Sequence, residues 1–191
     1  MNPPDKARPR FPRAIAQAVA EELIAALAPA CERIQYAGSL RREKPTVGDV
    51  ELLFIPRIGL VPDGLFDLRP VPATDAVLDA LLGANIIARR RNVRGAEMWG
   101  AKNKLAVHVA SGIPVDLFAA TPENWFNYLV CRTGPMESNV AIATAAQARG
   151  WKWNPYGPGF TDHRGVTIAA GSERDVFALA GLPFAEPPQR G

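Results

Sequence analysis

The chain has 191 residues, 48% of them hydrophobic and 21% charged, with a formal net charge of +3. That length allows one compact domain or two small lobes with a core that needs no disulfide or metal staple. The composition excludes a disordered chain, and no apolar run approaches the ~20 residues that a membrane-spanning helix requires.

The opening, with Lys6, Arg8, Arg10 and Arg13, lacks the apolar stretch of a secretory signal and reads as a flexible basic arm over residues 1–10. Pro12 suits the first turn of a helix, where its missing N–H would be unpaired anyway. In the helix that follows, Ile15, Val19, Leu23 and Leu27 stand four apart on one stripe with Ile24 beside it, until Pro29 stops it. A short strand over 32–38 leads into GSLRREKPTVGDVELLF, Gly38 to Phe54. Its end is the clearest strand of the chain, with Val50, Leu52 and Phe54 on one face and Asp49, Glu51 and Leu53 on the other. Thr74 is placed to cap a helix over 75–82 closed by Gly83, and a strand follows at Ile86–Arg89.

The segment from Arg89 to Lys104 carries six basic residues and one acid. LAVHVASGIPVDLFAA then has the pattern of a hairpin turning at Ser111–Gly112, with Asp116 between Val115 and Leu117. Thr121–Pro122 opens the next helix and MESNVAIATAAQARG is another, stopped by Gly150. Short strands fill 151–169, and a last helix runs from the cap Ser172 to the stop Gly181, ahead of a Pro-rich tail. The expected class is α+β, with a mixed sheet and flanking helices over 11–120 and a smaller α/β lobe over 121–191. Cys31 and Cys131 have no metal-ligand spacing and read as free thiols of a reducing compartment, which makes the expected location cytoplasmic. His108 and His163 read as structural or solvated, and Trp125, Trp151 and Trp153 as core.

Asp49 and Glu51 leave the same face of a strand, with Cα atoms about 6.6 Å apart. Asp116 is a third acid in an apolar strand, where an unpaired charge would be costly. Three converging carboxylates repel one another unless a divalent cation joins them, and hard oxygen ligands suit Mg²⁺ with substrate phosphates completing the shell. Upstream, Gly38 lets the backbone approach an anion, Ser39 offers a hydroxyl and an N–H, and Arg42 matches phosphate geometry. The bland alternative pairs Asp116 with Arg42 or Lys104. Outside this constellation, Arg89, Arg90, Arg91, Arg94, Lys102 and Lys104 are expected on a DNA-facing surface, with Trp99 as a nucleic-acid or nucleotide contact.

Gly38–Ser39, Arg42, Gly48–Asp49–x–Glu51 and Asp116 resemble the palm of family X DNA polymerases, the polymerase beta-like group of the nucleotidyltransferase superfamily. Thr133–Gly134 with Asn139 resembles that family's segment around the incoming nucleotide, GWKWNPYG (Gly150 to Gly157) its thumb motif, and Glu173 to Arg190 its C-terminal signature. The resemblance implies a minimal palm-plus-thumb polymerase without a lyase domain. It would be a monomer that adds dNMP from a dNTP to the 3′-hydroxyl of primed or gapped DNA, in short-gap repair. Asp49, Glu51 and Asp116 would be both catalytic and metal-binding, for two Mg²⁺ ions with Mn²⁺ able to substitute. Gly38, Ser39, Arg42, Gly48, Gly134 and Asn139 would bind the nucleotide. Glu51 stands where the family usually has Asp, Cys131–Arg132 where it has an aromatic or Gly–Trp pair, and Met136 where relatives often place an acid. Two other readings share these residues: a nucleotidyltransferase acting on RNA, a protein or a small molecule, and a catalytically weak or inactive DNA-binding protein.

Overall fold

The computed structural model describes residues 9–63 and 67–190. The expected basic arm, with Lys6 and Arg8, lies outside the described residues as far as residue 8. Strand β1 (Phe11–Pro12) runs straight into helix α1 (Arg13–Leu27), with Pro12 as its extended N-cap. Val19, Leu23 and Leu27 are buried, but Ile15 is 50% exposed, and Ala16 and Ala20 take the inner positions instead. A row spaced four apart gains about 40° per step on a 3.6-residue helix, so it drifts off the buried face within three steps. Pro29 ends the helix within a single 3₁₀ turn, Ala28–Ala30.

Next come β2 (Cys31–Tyr36), the one-turn α2 (Gly38–Arg41), β3 (Thr46–Val47), β4 (Val50–Pro56), β5 (Ile58–Asp63), β6 (Asp67–Pro72), α3 (Ala73–Gly83), β7 (Ile87–Arg89), β8 (Asn103–His108) and β9 (Pro114–Ala119). Five of these strands form one sheet in the order β2-β4-β9-β8-β7. The β4–β9 pair is parallel and its other neighbours are antiparallel. Period-two alternation divides β4 between two cores. Val50, Leu52 and Phe54 pack under α1 and α3 with Val115, Leu117, Ala106 and Ile87. Leu53 and Ile55 face the other way, with Phe118, onto Trp125, Tyr128 and Leu129.

Beyond the sheet lie α4 (Trp125–Thr133), α5 (Met136–Ala148), β10 (Lys152–Trp153), β11 (Gly159–Thr161), β12 (Thr167–Ala169) and α6 (Glu173–Ala180). Here Val130, Ile142, Ala146, Trp153, Phe160, Val176 and Phe177 make a further core. Helix α4 therefore serves both regions: Trp125, Tyr128 and Leu129 pack on the sheet, and Val130 on the C-terminal core. Ser172 caps α6 by accepting from Asp175 N at 3.1 Å, and Gly181 closes it in left-handed backbone (φ 78°).

Three local expectations shift. Helix α3 starts before Thr74, after the N-cap Pro72, and Thr74 is buried in its first turn. Helix α4 starts at Trp125, because Thr121 N donates to Asn124 Oδ1 at 2.8 Å and makes a turn of the Thr–Pro segment. Strands β5 and β6 pair as an antiparallel ribbon that the pattern did not announce. Its register sets Ile58 opposite Pro72, Leu60 opposite Pro70 and Pro62 opposite Leu68, and prolines fit a ribbon whose outer edges need no donors.

Candidate functional site

The parallel pairing of β4 and β9 sets Glu51 directly opposite Asp116. Paired residues on adjacent strands project to the same face, about 4.8 Å apart at the backbone, and Asp49 precedes Glu51 by one pleat. Asp49 and Asp116 both press on the ionisation of Glu51. Burial is the largest cause, and with the two neighbouring carboxylates it raises the Glu51 carboxyl from 4.5 to about 8, while Arg132 and Arg42 oppose the rise.

Gly38 makes this packing possible. Its φ is +62°, and a β-carbon there would lie 2.0 Å from Glu51 Oε2. Only a residue without a side chain accepts both the left-handed backbone and the carboxylate above it. Ala37 N donates to Glu51 O at 2.8 Å, which fixes the turn to the strand. Arg10, Ser39, Arg42, Gly48, Asp49 and Glu51 line one cleft of about 280 Å³. The short β1–β3 pairing brings Arg10 there, with its guanidinium on Thr46. Arg10 had been read only as part of a basic arm; the signal that could have found it is the extended Phe11–Pro12 pair ahead of the helix.

Arg42 donates to Thr133 O, and burial, the main cause, lowers its pKa against the pull of Glu51 and Glu137. A β-carbon on Gly134 (φ +58°) would lie 3.4 Å from Arg42 Nη1, so this glycine stands at the edge of the same group. Asn139 Nδ2 donates to Cys131 O at 2.9 Å, and its Oδ1 is buried without a hydrogen-bond partner among the described residues. Arg132 lies 3.7 Å from the Phe118 ring centroid, with the Tyr128 and Tyr156 rings at 5.3 and 5.5 Å. It is a cation held by aromatic faces beside Glu51, a place that no local pattern predicts. Arg41 spans to the C-terminal region: it donates to Thr133 Oγ1 at 2.8 Å and pairs with Glu173, which also takes Arg190 Nη2 at 2.9 Å.

The basic residues of 89–104 divide. Arg89, Arg91, Arg94 and Lys102 are exposed. Arg90 turns inward, with Nε on Ala106 O at 3.0 Å and Nη2 on Asp116 Oδ1. Lys104 is 8% exposed, with Nζ on Gly100 O at 3.0 Å and 3.3 Å from Asp75. Among the described residues Asp116 thus pairs with Arg90 rather than with Arg42 or Lys104, and two of the six expected surface cations are engaged inside the fold. Trp99 packs against the sheet core with Arg89 over its ring at 4.8 Å. Trp125 is buried, Trp153 donates to Asn127 Oδ1 at 2.6 Å inside the C-terminal core, and Trp151 packs beside it. His108 is buried between Ser111 and Glu22, while His163 is exposed. Cys31 and Cys131 are free thiols, both raised in pKa chiefly by burial.

Two features bear on a metal ion. The donors are all hard carboxylate oxygens, and the pressure of Asp49 and Asp116 on Glu51, a smaller cause than burial, is one that a divalent cation would relieve. Among the described residues, however, no three His, Cys, Asp or Glu side chains close into a metal-holding cluster, and Asp116 is engaged by Arg90. The donor chemistry would suit a hard divalent cation.

Among the described residues no helix is long and apolar enough to cross a membrane. No curated protein matches the chain. Residues 128–191 match the family model of the DNA polymerase beta thumb. The match begins midway along α4, where that helix passes from the sheet to the C-terminal core, and it includes Glu173 and Arg190, the partners of Arg41.

Proposed function

We propose that the chain is a polymerase of the family X type. It adds dNMP from a dNTP to the 3′-hydroxyl of primed or gapped DNA, with the five-stranded region as a nucleotidyltransferase palm and the C-terminal region as its thumb. The observation that carries this reading is the Glu51–Asp116 register, with Asp49 one pleat away, on the sheet face beside a cleft lined by Ser39, Arg42 and Gly48. The thumb match over 128–191 supplies independent support from residues outside that constellation.

In this reading Asp49, Glu51 and Asp116 hold two Mg²⁺ ions, for which Mn²⁺ can substitute. When bound, such ions lower the pKa of the attacking hydroxyl and stabilise the charge on the leaving oxygens. Asp116 orients the 3′-hydroxyl and takes up or relays its proton. Arg42, with the backbone around Ser39 and Gly48, holds the β and γ phosphates, and Arg10 adds a second guanidinium to the same cleft. Gly134 and Asn139 border the nucleotide. Arg89, Arg91, Arg94 and Lys102 offer an exposed basic surface for the DNA backbone.

The test is labelled-nucleotide incorporation, offered primed DNA, gapped DNA and RNA with dNTP or NTP, in Mg²⁺ and in Mn²⁺. The parent chain is expected to extend DNA primers with dNTP, and Asp49→Ala and Asp116→Ala to lose at least ~100-fold in rate while remaining folded. Extension of RNA, or transfer to another acceptor, would favour the broader nucleotidyltransferase reading. DNA binding without turnover would favour a non-catalytic role.

A further inference from the structure

Arg90 is the one member of the Arg89–Arg91 run whose guanidinium enters the site. The alternation of an extended segment exposes Arg89 and Arg91 and turns Arg90 under the sheet. Its backbone N donates to Leu105 O at 3.0 Å and its Nε to Ala106 O at 3.0 Å, so β8 fixes the side chain from two points. Of the two terminal nitrogens, Nη2 bonds Asp116 Oδ1. Both side chains are largely enclosed, at 27% and 18% exposed. Arg90 also lines a small cleft of about 170 Å³ together with Gly48, Asp49 and Pro114. Arg90 therefore pairs with one of the carboxylates assigned to the metal ions and shares a cleft with another.

A guanidinium and a divalent cation on the same carboxylate repel each other strongly at such separations. Among the described residues, the stretch after Arg90 is bonded within itself, with Arg91 Nη1 on Gly95 O at 3.0 Å and Asn92 N on Ala96 O at 2.8 Å, until Met98 O accepts from Leu105 N at 2.8 Å and Trp99 packs on the sheet core. We infer that Arg90 is a positioning residue for Asp116 that competes with the divalent cation for its carboxylate, so that metal binding loosens the basic loop between β7 and β8. In the metal-free state Arg90 keeps Asp116 in the site as a charge-paired group. On loading, the loop with its outward Arg89, Arg91 and Arg94 is released toward the nucleic acid. This inference rests on the reading of Asp116 as a metal ligand.

The experiment is a Mn²⁺ titration of the full chain without DNA or nucleotide, followed by the electron paramagnetic resonance of free Mn²⁺. Arg90→Gln should bind Mn²⁺ ~3–10-fold more tightly than the parent, as expected for removing one partly screened like charge, and Arg90→Lys should stay near the parent. Hydrogen exchange of residues 91–97 should quicken with Mg²⁺ in the parent and be fast without it in Arg90→Gln. If the parent binds Mn²⁺, Asp116→Asn weakens it, and both Arg90 variants match the parent, the competition is overturned while the carboxylate reading stands. If the parent binds no Mn²⁺ and Asp116→Asn changes nothing, both fall together. Should Arg90→Gln lose its thermal unfolding transition, the parent's exchange response decides the matter: quickening with Mg²⁺ supports the competition and an unchanged rate overturns it.

Discussion

Glu51 concentrates the chemistry of the site in one side chain. Its position opposite Asp116 follows from strand register, and its proximity to Gly38 from the absence of a β-carbon there. An acid whose pKa rises on folding, here from 4.5 to about 8, keeps a proton in the native state that the unfolded chain has already released. Between those values the native state binds more protons, so this residue's contribution to stability falls as pH rises through the window. Glu51→Gln removes that fall. In metal-free buffer the variant should match the parent near pH 4 and exceed it by about 1–3 kcal/mol at pH 8.5, the range allowing for partial exposure. Urea unfolding at the two pH values measures the difference, and a gap that stayed constant across them would refute the enclosed, proton-holding carboxyl. The turn at Gly38 and the strand face of Glu51 were legible in the sequence because they depend on local backbone and on period-two alternation. Arg132 was not: its place beside Glu51 comes from the packing of α4 on β9, through Phe118.

At the scale of elements, boundaries were legible where one residue type fixes them. Ser172 and Gly181 frame α6 through a cap bond and a left-handed closure. The β5–β6 ribbon was hidden because Pro62, Pro70 and Pro72 break the usual strand signature. The loop between β7 and β8 shows a different failure. Charge counting assigned all six cations to one surface, but Arg90 and Lys104 answer carboxylates from Asp116 and Asp75, and nothing in a run of arginines says which of them turns inward. The proposed nucleic-acid contact therefore falls on Arg89, Arg91, Arg94 and Lys102. Each phosphate contact removed lowers the log–log salt slope by nearly one. Replacing Arg89, Arg91 and Arg94 together by alanine should flatten the slope of DNA binding by about 2–3. An unchanged slope in a salt series would return these residues to plain solvated surface.

Across the whole molecule, the sheet and the C-terminal core are joined by α4 and by an ion cluster that no sequence pattern reveals. Arg41 of α2 and Arg190 of the tail both bond Glu173 at the start of α6. Burial would raise the Glu173 carboxyl, but the two arginines outweigh it and hold the group below its ordinary value. Its contribution is therefore present at neutral pH and is lost as the pH falls through the folded value. Glu173→Gln takes from Arg41 and the 1%-exposed Arg190 side chain the carboxylate that they share, with Glu186 as the weaker neighbour of Arg190. The cost should be about 3–5 kcal/mol at pH 7, shrinking in acid. Chemical denaturation measures it, and a loss under about 1 kcal/mol would show that the cluster contributes no more than a surface pair. Position 41 precedes its partner by 132 residues, which is why this joint was invisible to local reading although the α+β class was not.

The central claim is that Asp49, Glu51 and Asp116 act as one metal-holding group. Crystals of the chain soaked with Mn²⁺ and a non-hydrolysable deoxynucleoside triphosphate, measured at the manganese absorption edge, test it most directly. The account predicts two anomalous peaks about 3.5–4 Å apart, bridged by Asp49 and Glu51, with Asp116 on one of them and released from Arg90. Triphosphate density beside Ser39 and Arg42 with no manganese peak at these carboxylates would contradict it.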